Sequence, residues 1–234
     1  MTMEHWYKVI FEQSALWQAG VWQSLWLVFA SLLLGLFIAI PSGILLASRL
    51  SFWYKLPVLS FSYLFRGTPM LVQLYFIYYG IGLVIGRIDG VRDLSIWFIL
   101  KQAWPWVLLT LTLNTAAYTS EIVKGAIETT PAGEIEAAKA FGMNRYQMMK
   151  RIILPSALRR ALPAYGNEII FMLHGSAIVG VATLMDITGA ARKIYSLYYE
   201  PFAPFLFAGF LYLSLTACIV WLFRRLEKRL NQHL

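Results

Sequence analysis

Residues 25–47 read LWLVFASLLLGLFIAIPSGILLA and contain no charged side chain. An α-helix rises 1.5 Å per residue, so this stretch is about 35 Å long as a helix and crosses a hydrocarbon core of about 30 Å. Working outward, three other intervals are also free of charge: 67–86, 102–120 and 201–223. A further one, 161–184, is apolar apart from Glu168 and His174. Lipid cannot satisfy an unpaired backbone amide, so segments of this kind fold as helices. The expected fold class is all-α integral membrane, a single transmembrane domain over 1–234 with five spans near 21–48, 66–86, 98–121, 161–184 and 201–223.

Composition agrees with that reading. Of 234 residues, 59% are hydrophobic and 14% charged, against about 45–50% and about 25% in soluble domains. Disorder is excluded and a free cytosolic enzyme disfavoured. The net charge of +8 need not point to nucleic acid, because membrane proteins gather Lys and Arg on cytoplasmic loops. With five spans, Arg49, Lys55, Lys124, the basic residues from Lys139 to Arg160, and Arg224, Arg225, Lys228 and Arg229 collect on one side. Lys8, Arg87, Arg92, Lys101, Arg192 and Lys193 fall opposite. The first side is therefore cytoplasmic, which places the N-terminus outside and the C-terminus inside.

Smaller signals fill in the outline. Arg66-Gly67-Thr68-Pro69 breaks a helix, predicting a short helix, a kink and then the second span. Trp22, Trp26, Trp53, Tyr54, Trp97, Trp104, Trp106 and Trp221 lie near span ends, where aromatic rings anchor at headgroups. The single cysteine, Cys218, allows no internal disulfide and no cysteine-based metal site, and it is expected to be packed. Glu4, His5, Lys8 and Glu12 among the first residues predict no cleaved signal peptide.

The longest polar segment, 125–160, contains PAGEIEAAKAFGMNRYQMMKRIILP at 131–155. Glu134 to Phe141 is rich in helix formers with acids in its first turn, and Gly142 supplies a left-handed stop. Asn144 caps a second helix that is expected to run to Leu154 and stop before Pro155. The outcome is a helical knob on the cytoplasmic side.

Glu136-Ala137-Ala138, Gly142, Ile152, Leu154 and Pro155 resemble, at every fixed spacing, the EAA motif of bacterial ATP-binding-cassette importer permeases. Further stretches are similar to the polar-amino-acid branch of that family: 66–69, 113–121 and 154–163. Residues 166–168, 186–192 and 222–229 look closest to the M-type permeases of importers for histidine, lysine, arginine and ornithine. The resemblance implies a type I ABC importer permease fold in a bacterial inner membrane. It makes Glu134, Glu136, Ala137, Ala138, Gly142, Ile152, Leu154 and Pro155 the ATPase-coupling surface. The implied partners are a second, Q-type permease subunit, two ABC ATPases and a periplasmic or extracellular substrate-binding protein. The chain itself would bind no cofactor, with ATP and Mg held by the partner ATPase. One departure is Leu173-His174-Gly175-Ser176, where many relatives carry a Lys-Asp pair before the Ser or Thr.

Polar groups inside spans are costly and need a protein-lined or wet surrounding. Asn114, Tyr118 and Glu121 share one face of the third span, and Asn167, Phe171 and His174 repeat that spacing in the fourth, with Glu168 beside them. These faces suggest a substrate pathway in which Glu168 offers negative charge to a cationic amino acid, aided by Asn167 and His174. The competing reading is that Asn167 and Glu168 join helices by hydrogen bonds. Glu121, with Lys124 one turn on, suits interfacial pairing or support of the coupling loop.

Three function classes compete. A transporter subunit borrowing its energy fits the absence of a GxxxxGK[ST] phosphate loop. An intramembrane hydrolase using Ser176 with His174 or Glu168 is disfavoured, since residues two apart on a helix point away from each other. A self-sufficient carrier or channel would be expected to show an inverted repeat, and none is visible.

Overall fold

The computed structural model describes residues 6–230. Glu4 and His5 lie outside the described residues, as does the end of the C-terminal tail. No strand occurs among those described. The principal helices are α1 (Ser14–Ala47), α2 (Phe52–Gly67), α3 (Met70–Ile85), α4 (Trp104–Glu128), α5 (Ala132–Ala140), α6 (Arg145–Ala182), α7 (Ile187–Tyr198) and α8 (Phe202–Leu230). Helices α1 and α8 are each long and apolar enough to cross a membrane. Two bent pairs also qualify when each is taken as one broken span: α2 with α3, at 110°, and α6 with α7, at 49°.

Helix α4 is the centre of the packing. Its 25 residues reach about 37 Å, yet Thr110, Thr112, Asn114, Thr115, Thr119 and Ser120 are all buried in it. It tolerates this polarity because neighbouring helices, rather than lipid, surround it. Against it lies α1, which buries Ser31, Gly35, Ala39 and Gly43 at four-residue intervals. Small residues at that spacing let two backbones approach closely. A Cβ on Gly43 would stand 2.8 Å from the Ser120 carbonyl oxygen and 2.7 Å from the Val123 side chain. The apolar core continues from this seam through Leu27, Leu32, Leu74, Val107, Leu111, Met172, Leu173 and Val179.

The helix ends are tied by side chains. Lys55 Nζ donates to the carbonyls of Leu46 and Ser48, at 2.9 and 2.5 Å, closing the C-terminus of α1. At the start of α7, the Asp186 carboxylate accepts from the amides of Gly189 (2.8 Å) and Thr188 (3.3 Å), and Tyr212 Oη of α8 donates to it at 3.2 Å. The Ile187 amide donates to Ser24 Oγ of α1 at 3.3 Å. One buried knot thus joins α1, α7 and α8.

Some expectations need correction. Pro155 does not end the second helix of the polar loop: Arg145–Met148, a π-helical turn Met149–Ile153 and Leu154–Gly175 run on as one rod. The proline sits just beyond the π turn, whose altered register accommodates a residue with no amide to donate. Cys218 is exposed on α8 rather than packed. Trp106 is only 6% exposed, its indole N–H donating to the Leu100 carbonyl at 2.8 Å, while Trp22, Trp53 and Trp221 are outward-facing.

Candidate functional site: a pocket at a helix break and the knob below it

The expected kink at 66–69 is a full break, and a pocket of ≈ 680 Å³ opens beside it. Its walls are Arg66 to Met70 from the break, Asn114, Tyr118 and Ile122 from α4, and Ala164, Asn167, Glu168, Phe171 and Met172 from α6. Breaking a helix frees carbonyls that must find other donors. Gln73 Nε2 donates to the carbonyls of Phe65 (2.7 Å) and Thr68 (2.9 Å). Asn114 Nδ2 donates to Gln73 Oε1 at 2.9 Å and reaches the Phe65 carbonyl at 3.4 Å. Tyr118 Oη reaches the Arg66 carbonyl, also at 3.4 Å, and Thr68 Oγ1 donates to that of Leu64 at 2.7 Å.

Charge is distributed unevenly around this pocket. Arg66 at its mouth is paired with Glu121 at 3.5 Å and lies 5.7 Å over the Tyr118 ring. Glu121 also pairs with Lys124 at 3.3 Å and accepts from Ser62 Oγ at 3.2 Å. Glu168 is 6% exposed and forms no ion pair among the described residues. Its polar neighbour is Thr115 of α4. The pocket therefore has one ion-paired cluster at its edge, with two cations on one carboxylate, and one carboxylate without a cation partner in its wall.

The knob is α5 and the turn after it. Gly142 has φ +71°, the left-handed conformation that stops the helix, and Asn144 begins the next one with a reciprocal capping box to Gln147. Arg160 of α6 fastens this unit from behind. Its Nη2 donates to Thr130 Oγ1 (2.8 Å) and the Ala126 carbonyl (3.0 Å), and its Nη1 to Ser156 Oγ (2.5 Å). Nη1 also stands 3.7 Å from Glu134 Oε1, which accepts from Ser156 Oγ at 3.1 Å. Ala138 is buried against the rest of the chain, whereas Glu136, Ala137, Gly142 and Pro155 are exposed. Ile152 and Leu154 are half-buried. Phe141 and Tyr146 of the same loop stand 83% and 72% exposed.

Of the residues proposed for a substrate pathway, Asn114, Tyr118, Asn167 and Glu168 line the pocket together. Glu121 lies outside its lining, in the Arg66–Lys124 cluster. His174 is also outside, sharing a 3.0 Å hydrogen bond with Thr216 of α8. Ser176 Oγ donates to the Leu173 carbonyl at 2.7 Å, so His174 and Ser176 form no nucleophile–base pair. Sequence reasoning missed Gln73, whose importance depends on a break that only folding creates. It also gave Arg160 no role of its own, counting it among the cytoplasmic cations and within the family-like stretch 154–163. The exposed Phe141 and Tyr146 were legible as aromatics inside a polar loop but drew no attention.

A family model described as "Binding-protein-dependent transport system inner membrane component" matches residues 39–232. The chain is 44% identical over 216 residues to the histidine/lysine/arginine/ornithine transport system permease protein HisM of Salmonella typhimurium, covering 92% of this chain and 89% of that protein. It is 40% identical over 223 residues to the octopine transport system permease protein OccM of Rhizobium radiobacter, covering 93% and 89%. Among solved structures, an amino acid ABC transporter crystallised with histidines superposes with a TM-score of 0.82 at 30% identity, covering 98% of this chain and all of that one.

Proposed function

We propose, from the premise that this chain belongs to the family of binding-protein-dependent transport system inner membrane components, that it is the permease subunit of an importer for basic amino acids. Its all-helical fold is that of a type I ABC importer permease. The observation that carries the choice of substrate is Glu168, a buried carboxylate without a cation partner in the wall of a ≈ 680 Å³ pocket. A buried charge of this kind is stabilised by an opposite charge brought by a ligand. The names of relatives that handle histidine, lysine, arginine, ornithine and octopine support the same substrate class.

The assembly we infer contains a second, Q-type permease, two ABC ATPases beneath the knob and a substrate-binding protein on the opposite face. The chain spans the bacterial inner membrane five times, α4 included, with its N-terminus outside and its C-terminus in the cytoplasm. It carries no catalytic site of its own, and ATP and Mg belong to the partner ATPases. Closure of the ATPase dimer pulls the surface formed by Glu136, Ala137 and the Gly142 turn. Through Arg160 that displacement reaches α4 and α6, the two helices that wall the pocket. Their separation opens it outward, and hydrolysis reverses the movement. Such alternating access requires substrate and nucleotide to bind the two states unequally.

The test is ATPase activity of reconstituted complexes with and without this chain, in the presence of binding protein loaded with arginine, ornithine, lysine, histidine or glutamine. Stimulation that requires this chain and is greatest with basic amino acids is expected. Substrate flux through liposomes by this chain alone, indifferent to ATPase and binding protein, would establish a self-sufficient carrier instead.

A further inference from the structure

At the end of α4 remote from the knob lies a second pocket, of ≈ 320 Å³. Trp106 in its wall is separated along α4 from Glu128 by about 33 Å, one membrane thickness. Arg87, Arg92 and Lys101 converge on this pocket among Tyr78, Trp97 and Trp106. None of the three cations forms an ion pair among the described residues. Asp89 and Asp93, the acids of the same loop, are not in its walls.

The geometry is built rather than incidental. Arg92 Nε donates to the Gly86 carbonyl at 2.8 Å and its guanidinium lies 5.9 Å from the Trp97 ring centre. Trp97 packs so closely on the turn just after α3 that a Cβ at Gly86 would come within 2.9 Å of it. Leu83 in its wall is exposed, as are Leu94 and, next in sequence to the lining residues Arg87 and Trp97, Ile88, Ile96 and Phe98. Lys101 Nζ lies 5.4 Å from the Phe98 ring centre. Three cations with an apolar rim at a membrane boundary match a molecule that is anionic at one end and hydrocarbon at the other.

We propose that this pocket binds the headgroup phosphate of an anionic phospholipid, whose acyl chains lie along the exposed apolar rim. The rim distinguishes this ligand from free phosphate, which would gain nothing from it.

The test is native mass spectrometry of the complete transporter released from vesicles of phosphatidylglycerol and phosphatidylcholine, comparing wild type with the Arg87→Gln, Lys101→Gln double variant. The wild-type complex is expected to retain phosphatidylglycerol on this subunit, and the variant to lose about tenfold or more of that retention. Excess inorganic phosphate is expected not to displace the lipid. Equal retention by both complexes, or displacement by inorganic phosphate, overturns the proposal. So does weakened docking of the binding protein by the variant in lipid-free detergent, which would assign these cations to that protein. Should the variant fail to assemble, a photoreactive phosphatidylglycerol on the wild-type complex reads the same site. Label within 78–106 is expected, and label confined elsewhere overturns the assignment.

Discussion

Asn114 Nδ2 lies 2.9 Å from Gln73 Oε1, so a residue from the middle of the central helix holds the residue that satisfies the broken one. The break is what turns Arg66 to Met70 into a pocket wall. A buried amide left without its partner costs about 1–3 kcal/mol. Asn114→Leu and Gln73→Leu are each expected to lower the thermal stability of the complex by that amount. The double variant should lose less than the sum, because the two side chains share a hydrogen bond and both reach the Phe65 carbonyl. Additive losses in thermal unfolding would show that each side chain acts independently.

Arg160 supports the knob from behind while touching both pocket helices, through the Ala126 carbonyl on α4 and its own position on α6. Arg160→Ala leaves Glu134, Ser156 and Thr130 without their shared donor. Such a complex is expected to insert and assemble, but to lose about tenfold of the ATPase stimulation given by loaded binding protein, in line with a lost charge-assisted hydrogen bond. Arg160→Lys retains the charge without the two-pronged geometry and should fall between the two. Full stimulation in the alanine variant would remove Arg160 from the coupling path.

Gly142 occupies a left-handed conformation with φ +71° and is open to solvent, so space does not restrict it and backbone geometry does. A non-glycine residue there costs about 1–2 kcal/mol, least for Asn and Asp, so a difference between Gly142→Asp and Gly142→Asn reports the negative charge added to the docking surface. Gly142→Asp and, on the exposed face nearby, Glu136→Lys are expected to abolish uptake and substrate-stimulated ATP hydrolysis while membrane insertion stays normal. Gly142→Asn should keep most uptake. Uptake assays on correctly inserted variants decide it, and normal uptake with Gly142→Asp and Glu136→Lys would sever the knob from energy coupling.

The seam between α1 and α4 shows how much of the fold was legible beforehand. Long charge-free runs such as 25–47 announce helices because lipid imposes that outcome. The Gly142 stop and Asn144 cap were equally plain, being local chemistry with local partners. By contrast, Ser31, Gly35, Ala39 and Gly43 stand at a four-residue interval in plain view, yet nothing local says which helix they approach. Pocket membership was half legible for the same reason: periodicity placed Asn114 with Tyr118 and Asn167 near Glu168. It also grouped His174 and Glu121 with them, and partners on other segments, Thr216 and Arg66, drew both away.

That seam is sensitive to bulk. At Gly43 an added Cβ meets the Ser120 backbone and the Val123 side chain inside 3 Å, and backbone cannot rotate aside. Gly43→Leu is expected to destabilise by about 1–3 kcal/mol or more through overpacking, with Gly43→Ala intermediate. Yield of assembled complex in size-exclusion chromatography checks this ordering, and wild-type yield from the leucine variant would contradict the close contact.

Glu168→Gln preserves shape and removes the charge from the pocket wall. If the carboxylate meets the cationic end of the substrate, the loss corresponds to about 1.5–3 kcal/mol, the usual contribution of a hydrogen bond to a charged group. Transport of arginine and lysine in reconstituted vesicles should then show KM raised by about tenfold or more, whereas glutamine carried by the same complex should be unaffected. If Glu168 only joins helices, the neutral amide would alter thermal stability and reduce transport of every substrate equally. The ratio of KM values for arginine and glutamine therefore separates the two roles, because a change in stability alone leaves that ratio fixed.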